Sequence, residues 1–204
     1  MAHARSPRDR RAEILDIAGP LFLEHGYQGA SMSRIAAAVG GSKGTLYAYF
    51  SGKEELFAAY MTERLQALVL EAFSLPEDAG DPARVLALVG GRYLKLATDP
   101  SSVALLRLLY HEAPRFPEIG RLFHETCFRP GRRQLADYLA RAHAAGLLRA
   151  PDPALAAEQF LALCQANLQM PLLLCVRPGV GRKEADAVVA AAVATFLAAH
   201  RPAP

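Results

Sequence analysis

Apolar residues recur along this chain with the spacing of an amphipathic α-helix. Near the N-terminus they fall at i, i+3, i+4, i+7 and i+8, in Ile14, Ile17, Ala18, Leu21 and Phe22. This spacing places them on one helix face that can pack on a core. It predicts a first helix from about Pro7 to His25, with a kink expected at Gly19-Pro20. Gly26 is expected to end the helix in a left-handed conformation.

Two short helices are predicted next. Ser31 and Ser42 are each placed to cap a helix by accepting backbone N–H groups. The first of these helices buries Ile35, Ala36 and Val39 and ends at Gly40-Gly41, and the second reaches about Phe50. Two short helices joined by a glycine turn predict a helix-turn-helix at about 31–50.

The rest of the chain keeps the helical period. A fourth helix is predicted from near Lys53 to Ser74, and further helices at about 82–98, 101–113, 117–145, 152–175 and 181–200, separated by Pro and Gly. No alternating strand pattern is present. We therefore predict an all-α fold, with an N-terminal three-helix domain over 1–53 that carries the helix-turn-helix and a second helical domain over 54–204.

The composition indicates the size of the core and the compartment of the protein. A length of 204 residues allows one medium domain or two small ones. Because 52% of the residues are hydrophobic, the chain can bury a sizeable core. Three Cys do not form a disulfide framework, and the charged N-terminus lacks the apolar stretch of a secretory signal. The uncharged run 159–176 contains several polar residues and Pro171, which argues against a membrane helix. We expect a cytoplasmic protein.

All of the net positive charge lies in the first quarter of the chain. Residues 1–53 hold seven cations and four anions, which accounts for the whole net charge of +3. The cations are Arg5, Arg8, Arg10, Arg11, Arg34, Lys43 and Lys53. This asymmetry is expected of a segment that meets a polyanion. A solvated N-terminal face is the open alternative.

The second helix of the predicted helix-turn-helix carries side chains suited to DNA. Lys43 can reach guanine edges or phosphate, and the hydroxyls of Thr45, Tyr47 and Tyr49 can bond phosphate. Gly44 would let the backbone approach the DNA closely. Core packing of Tyr47 and Tyr49 stays open as an alternative, whereas Leu46 and Phe50 are expected in the core.

Two stretches of the chain follow a known pattern. The first is Gly26-Tyr27-Gln28-Gly29-Ala30-Ser31-Met32-Ser33-Arg34-Ile35-Ala36, and the second is Gly40-Gly41-Ser42-Lys43-Gly44-Thr45-Leu46-Tyr47-Ala48-Tyr49-Phe50, continuing through Phe57. Together they closely resemble the DNA-binding domain of TetR-family (AcrR-like) transcriptional regulators. The resemblance covers about residues 8–60. It implies an all-helical homodimer, usually a repressor, that binds a palindromic operator on double-stranded DNA and is released by a small ligand.

The same resemblance assigns positions. It implies recognition-helix contacts at Lys43, Gly44, Thr45, Tyr47 and Tyr49, further contacts at Met32, Ser33 and Arg34, and a phosphate contact at Lys53. Arg8, Arg10 and Arg11 resemble the basic arms of this family, which follow the minor groove or phosphates. The chain departs from the family pattern at Gly41, Val39 and Gly19-Pro20.

The later part of the chain, in the runs 105–119 and 152–160, resembles the AefR-like ligand domain of some of these regulators. We expect a small, hydrophobic effector. The polar candidates for its pocket are Tyr93, His111, His124, Gln165, Asn167 and Gln169, although a satisfied core or interface group is the favoured interpretation of each.

The helices at 152–175 and 181–200 are apolar on most sides and must be buried, which pairing of two chains would achieve. In the family the last two helices of each subunit form a four-helix dimer interface, and we assign these helices that role. Burial within one subunit stays open.

No catalytic or metal-binding pattern stands out. His124 and Cys127 share a helix face, but two ligands without a third do not make a zinc site. HExxH, a CxxC pair, GxSxG, Walker A and GxGxxG are absent. We therefore predict no enzyme activity, metal or cofactor. A helical protein-interaction module and a small hydrolase are the alternatives to a regulator.

Overall fold

The computed structural model describes residues 7–76 and 80–202. Arg5, one of the cations counted above, lies outside these residues. The described residues form helices and no strand, which confirms the predicted all-α fold. They pack as two compact units. Unit 1 comprises the described residues up to Ala67 together with Arg107–Thr126, and unit 2 comprises Leu68–Leu106 and the described residues from Cys127 onward. These units do not coincide with a division at residues 53 and 54.

The helices of the first half begin and end close to the predicted positions. They are α1 (Pro7–Gly29), α2 (Met32–Ala38), α3 (Lys43–Tyr47), α4 (Lys53–Tyr60), α5 (Gln66–Ala72), α6 (Pro82–Thr98) and α7 (Pro100–Glu112). A π-helical turn, Met61–Leu65, joins α4 to α5. Within α1 the backbone leaves the helical region at Gly26, with φ 72°, and not at Pro20.

The second half contains α8 (Pro117–Phe123), α9 (Arg129–Ala144), α10 (Pro153–Gln165), α11 (Gln169–Leu173) and α12 (Arg182–Ala199). The predicted helix 117–145 is divided by a π-helical turn, His124–Phe128, just before Pro130, which lacks the N–H that an unbroken helix needs. The predicted helix 152–175 is divided at Ala166, with φ 38°. Restarting the helix at Gln169 places Pro171 in a first turn, where proline is tolerated.

An aromatic cluster holds the helices of unit 1 together. Phe22 and Phe57 meet edge to face with ring centroids 4.9 Å apart, and Tyr27 lies 5.3 Å from both Phe57 and Phe116. Such pairs add about 0.5–1.5 kcal/mol each beyond the burial of their area. The departure at Gly19 has a packing reason, because a Cβ there would lie 2.3 Å from the ring of Tyr60.

The core of unit 2 lies between α6, α9, α10 and α12. Gly90 lets three helices approach closely, since a Cβ there would lie 3.0 Å from Phe160 and 3.1 Å from the Cys164 sulfur. The end of α12 is tied to the loop after α9 by the Arg149 N–H, which donates to the carbonyl of His200 at 2.8 Å.

Replacing Gly131 with alanine is expected to destabilise unit 2. The new Cβ would lie 2.4 Å from the ring of Phe73, which is buried and cannot swing into solvent. Overpacking of this kind costs about 1–3 kcal/mol, more than the helix propensity of alanine returns. Urea unfolding at a fixed protein concentration measures the change.

Gly91→Ala is the matched control for this substitution. Gly91 lies inside α6, and a Cβ there would meet nothing within 4 Å. The free energy of unfolding of this variant should therefore rise by about 0.5–1 kcal/mol. Equal gains in both variants would mean that Phe73 moves aside at no cost.

Candidate nucleic-acid interface

The helix-turn-helix is built by two serine caps and a left-handed glycine. The Arg34 N–H donates to Ser31 Oγ at 3.3 Å, and the Thr45 N–H donates to Ser42 Oγ at 3.1 Å. Gly40 has φ 70° in the turn between α2 and α3. Both predicted caps and the predicted turn are confirmed.

Apolar residues fix α3 against the rest of unit 1. Leu46 and Phe50 are each only 1% exposed, and Ile35 and Val39 of the preceding helix are also buried. The prediction that these side chains form the core is confirmed. Because one side of α3 is locked in this way, its opposite side has a fixed orientation toward solvent.

That opposite side carries the predicted DNA contacts. Lys43 and Gly44 are exposed, and Tyr47 is 51% exposed, which removes the alternative in which Tyr47 packs in the core. Thr45 is half-buried, with its hydroxyl 3.1 Å from Ser42 Oγ, and Tyr49 is also half-buried. The face therefore offers a cation, a phenol and an approachable backbone side by side.

The start of α2 adds a second group of polar atoms. Ser33 and Arg34 are exposed, and Met32 is half-buried. The Arg34 guanidinium lies 2.9 Å from His25 Nε2 and donates to it in the tautomer that carries the ring proton on Nδ1. This contact holds one end of Arg34 and leaves its other donors available.

The three arginines that resemble a basic arm lie on α1, within the helix predicted from about Pro7. Arg10 pairs with Glu13 at 2.8 Å and donates to the carbonyl of Val39 at 3.2 Å, at the end of α2. Arg11 pairs with Glu63 and lies over the ring of Phe50, 4.8 Å from its centroid. Arg8 is exposed. The structure thus gives Arg10 and Arg11 contacts that hold unit 1 together.

Lys53 is held by Tyr27. Its ammonium donates to the Tyr27 carbonyl at 2.9 Å and lies 4.3 Å from the centroid of the Tyr27 ring. An ammonium has three donors, so the bond to this carbonyl does not use all of them. Burial, followed by the nearby charge and hydrogen bond of Glu54, raises the pKa of Tyr27 to about 12. Tyr27 therefore stays neutral beside the cation.

Glu112 is a buried charged residue of unit 1 that no pattern in the sequence indicates. It is 3% exposed and is the sole charged side chain that is buried among the described residues. Its Oε1 accepts the Tyr27 N–H at 3.2 Å, next to the break at Gly26. A buried stripe of Leu105, Leu108 and Leu109 leads to it at helical spacing.

The predicted pocket residues are divided between the two units. Tyr93 is buried in unit 2, where burial raises its pKa to about 12, and Gln165 and Gln169 are half-buried. His111 and His124, which were also candidates for the pocket, are exposed and belong to unit 1. Neither is enclosed by apolar side chains. On α7 the phase that buries Glu112 turns the neighbouring His111 outward. Asn167 is also exposed.

The two helical regions assigned to dimer formation carry an open groove. It lies between α10 and α12, has a volume of about 490 Å³ and is lined by Gln159, Ala162, Leu163, Ala166, Thr195, Phe196, Ala199 and His200. The large apolar side chains of Leu155, Met170 and Leu174 are exposed nearby in the sequence. Unit 2 by itself therefore leaves much apolar surface of these helices uncovered.

Among the described residues, no three His, Cys, Asp or Glu side chains are grouped so that they could hold a metal ion. None of the helices described is both long and apolar enough to cross a bilayer. Cys127 and Cys164 are buried and Cys175 is exposed. Burial raises the pKa of Cys164 to about 12, which keeps that thiol protonated and unreactive at neutral pH.

Comparison with known families identifies both parts of the chain. The model described as "Bacterial regulatory proteins, tetR family" matches residues 14–60. The model described as "AefR-like transcriptional repressor, C-terminal domain" matches residues 84–202, more than half of the chain.

Curated relatives match over shorter stretches. The HTH-type transcriptional repressor AcnR of Corynebacterium diphtheriae is 48% identical over 54 residues, 26% of this chain and 28% of the relative. The probable acrEF/envCD operon repressor of Escherichia coli is 30% identical over 106 residues, 50% of this chain and 47% of the relative. The chain thus spans about half or less of the length of these relatives.

Solved structures match over nearly the whole length. The Flavonoid-responsive Regulator FrrA has a TM-score of 0.83 and 33% identity, with 98% of this chain and 100% of that chain covered. A TetR family transcriptional regulator from Pseudomonas syringae pv. tomato has a TM-score of 0.76 and 26% identity, with coverage of 98% and 100%. The whole fold therefore has counterparts among regulators.

Proposed function

This chain belongs to the TetR family of bacterial regulatory proteins, with an AefR-like C-terminal domain, and on that premise we propose that it is a transcriptional repressor released from DNA by a small molecule. One observation carries the DNA-binding part of the proposal. The caps and the buried side of α3 fix an outward face on which Lys43, Gly44 and Tyr47 are exposed together. Met32, Ser33, Arg34, Thr45, Tyr49 and Lys53 complete the proposed contact set.

The proposed operator is palindromic double-stranded DNA, bound in the cytoplasm by a homodimer. A two-fold dimer presents two identical copies of α3, and these fit two half-sites when they lie about 34–36 Å apart. The arginines on α1 have a smaller role in this proposal, because Arg10 and Arg11 already pair with Glu13 and Glu63. Arg8 is the candidate for an added phosphate contact.

The proposed dimer interface is the face formed by α10 and α12. The groove between them is lined mainly by small or apolar side chains, and small residues allow close approach of partner helices. Among its lining residues, Ala162, Ala166 and Ala199 are exposed, which favours burial by a second chain over burial within one subunit.

The proposed effector is a small, hydrophobic molecule bound in the core of unit 2. FrrA, which matches across the whole length, is named as flavonoid-responsive, and this supports a flat aromatic ligand for the present chain. Tyr93 is the candidate polar contact, because its ring is buried in the apolar core of unit 2 and its hydroxyl stays neutral beside Arg132. His111 and His124 are not part of the proposed site.

Selection from a random duplex library tests the proposal. The purified full chain should enrich a palindromic sequence, and binding to that duplex should weaken steeply with salt because phosphate contacts release counterions. A flavonoid such as naringenin should then reduce binding to it. A chain that enriches no sequence, or binds every duplex equally, would favour the protein-interaction module. Turnover of generic esters would favour the hydrolase.

A further inference from the structure

The N–H of Tyr27 lies where α1 loses its regular hydrogen bonding. Gly26 adopts φ 72° and ψ 167°, so the regular helical pattern is interrupted there, before the last residues of α1. A buried N–H without a partner is costly, and native structures supply one. Here the partner is a carboxylate from a distant part of the chain, Glu112, 85 residues away in sequence.

Glu112 belongs to a tight turn that touches Tyr27 a second time. The carbonyl of Glu112 accepts the N–H groups of Arg115 at 2.9 Å and Phe116 at 2.8 Å, which ends α7. The ring of Phe116 then lies 5.3 Å from the ring of Tyr27. The turn therefore holds both the backbone and the side chain of Tyr27.

Tyr27 in turn holds Lys53 by the same two parts. Its carbonyl accepts from the ammonium, and its ring lies beneath that cation. If the backbone of Tyr27 shifted, its carbonyl and its ring would move together, and both contacts to Lys53 would change. The fixed position of Lys53 thus depends on what fixes Tyr27.

We propose that Glu112 is a positioning residue for DNA binding, which fixes Tyr27 through its N–H and thereby holds the Lys53 ammonium in place. The DNA part of this inference rests on the proposed function, in which Lys53 contacts a phosphate. Oε1 does the positioning, whereas Oε2 has no hydrogen-bond partner among the described residues. A neutral side chain that keeps an acceptor at Oε1 should therefore suffice.

Two substitutions separate the acceptor from the charge. Glu112→Gln keeps an oxygen that can accept the Tyr27 N–H, and Glu112→Met removes it with little change in length. Circular dichroism and urea unfolding establish that each variant is folded. Hydrogen exchange of the wild-type protein tests the bond without a variant: the Tyr27 amide should exchange at least about tenfold more slowly than an unbonded amide. Rapid exchange would overturn the proposal.

Chemical acetylation of the DNA-free protein reports on Lys53 directly. The chain has four lysines, and Lys43, Lys95 and Lys183 are exposed and act as internal references. With limiting acetic anhydride, Glu112→Met should raise the labelling rate of Lys53 by about fivefold or more, as expected when a charge-assisted bond is weakened. Glu112→Gln should stay within about twofold of the wild type. Equal rates in all three proteins, or equal increases in both variants, would overturn the inference.

A double-mutant cycle connects this positioning to DNA. With the duplex enriched by selection, Glu112→Met should lower affinity by about tenfold and reduce the salt dependence by about one phosphate contact per subunit. In a Lys53→Ala background it should have no further effect on the salt dependence, because the two substitutions remove the same contact. Additive effects would show that Glu112 acts independently of Lys53. Failure of the wild-type protein to select any duplex would instead reject the proposed function and leave the labelling result to decide the positioning.

Discussion

Replacing Lys43 and Tyr47 together with alanine is expected to weaken binding to the selected operator by about a hundredfold or more. Both side chains lie on the outward face of α3, and good base contacts are worth about 1–3 kcal/mol each, counted in both subunits of a dimer. Because neither supports the core, the free energy of unfolding should change by less than about 0.5 kcal/mol. Fluorescence anisotropy with operator and scrambled duplexes measures the loss.

The chain offers a control with the same residue types and the same change in charge. Lys95 is exposed on α6 and Tyr110 is 69% exposed on α7, away from α3 in sequence. Lys95→Ala with Tyr110→Ala should leave operator affinity within about twofold, apart from a small effect of net charge. An equal loss in the control pair would mean that total charge, and not the α3 face, governs binding. Full retention of selectivity in the Lys43 and Tyr47 variant would reject α3 as the recognition element.

The helix-turn-helix could be predicted from sequence because its determinants are local. Each serine cap bonds an N–H three residues later, and Gly40 meets a requirement of its own turn. The buried residues follow the helical period within a few positions. Rules that act over one or two helical turns are visible in a single sequence.

The residues that the sequence did not reveal are fixed by distant partners. Glu112 continues an apolar stripe, but a charged residue in that position predicts solvent exposure until its partner at Tyr27 is known. Arg10 counts as a free cation in the sequence, although it donates to the carbonyl of Val39, 29 residues away. Charge totals therefore overstated how many arginines of α1 are available to DNA.

The exposure of His111 has a related reason. His111 was selected because it lies on an apolar helix, yet the side that faces inward there is the one with Leu108 and Glu112. The helical period shows which residues share one face of a helix. Whether a polar residue beside that face points inward or outward depends on the element that packs against the helix. Tyr93, which lies within its stripe on α6, is buried as expected.

Introducing an arginine into the groove between α10 and α12 is expected to dissociate the proposed homodimer. Ala162 is exposed at this groove, and a partner helix packed there would have to bury an unpaired guanidinium. Two-fold symmetry repeats the penalty, so Ala162→Arg should raise the dissociation constant by about a thousandfold, or about 4 kcal/mol. Operator binding should fall with it, since one α3 contacts only one half-site. Sedimentation velocity over a range of concentrations measures the dissociation.

Ala140→Arg is the matched control for this change. Ala140 is an exposed alanine on α9 and does not line the groove, so its variant should sediment as the wild type does. If Ala162→Arg leaves the dimer intact, the two chains pair through another surface, and the apolar face of α10 and α12 needs a different occupant. A variant that is folded and monomeric, and that binds the operator weakly, would show that dimer formation at this face gives the chain its affinity for a palindrome. The reason is that a dimer binds two half-sites as one particle, whereas a monomer binds only one.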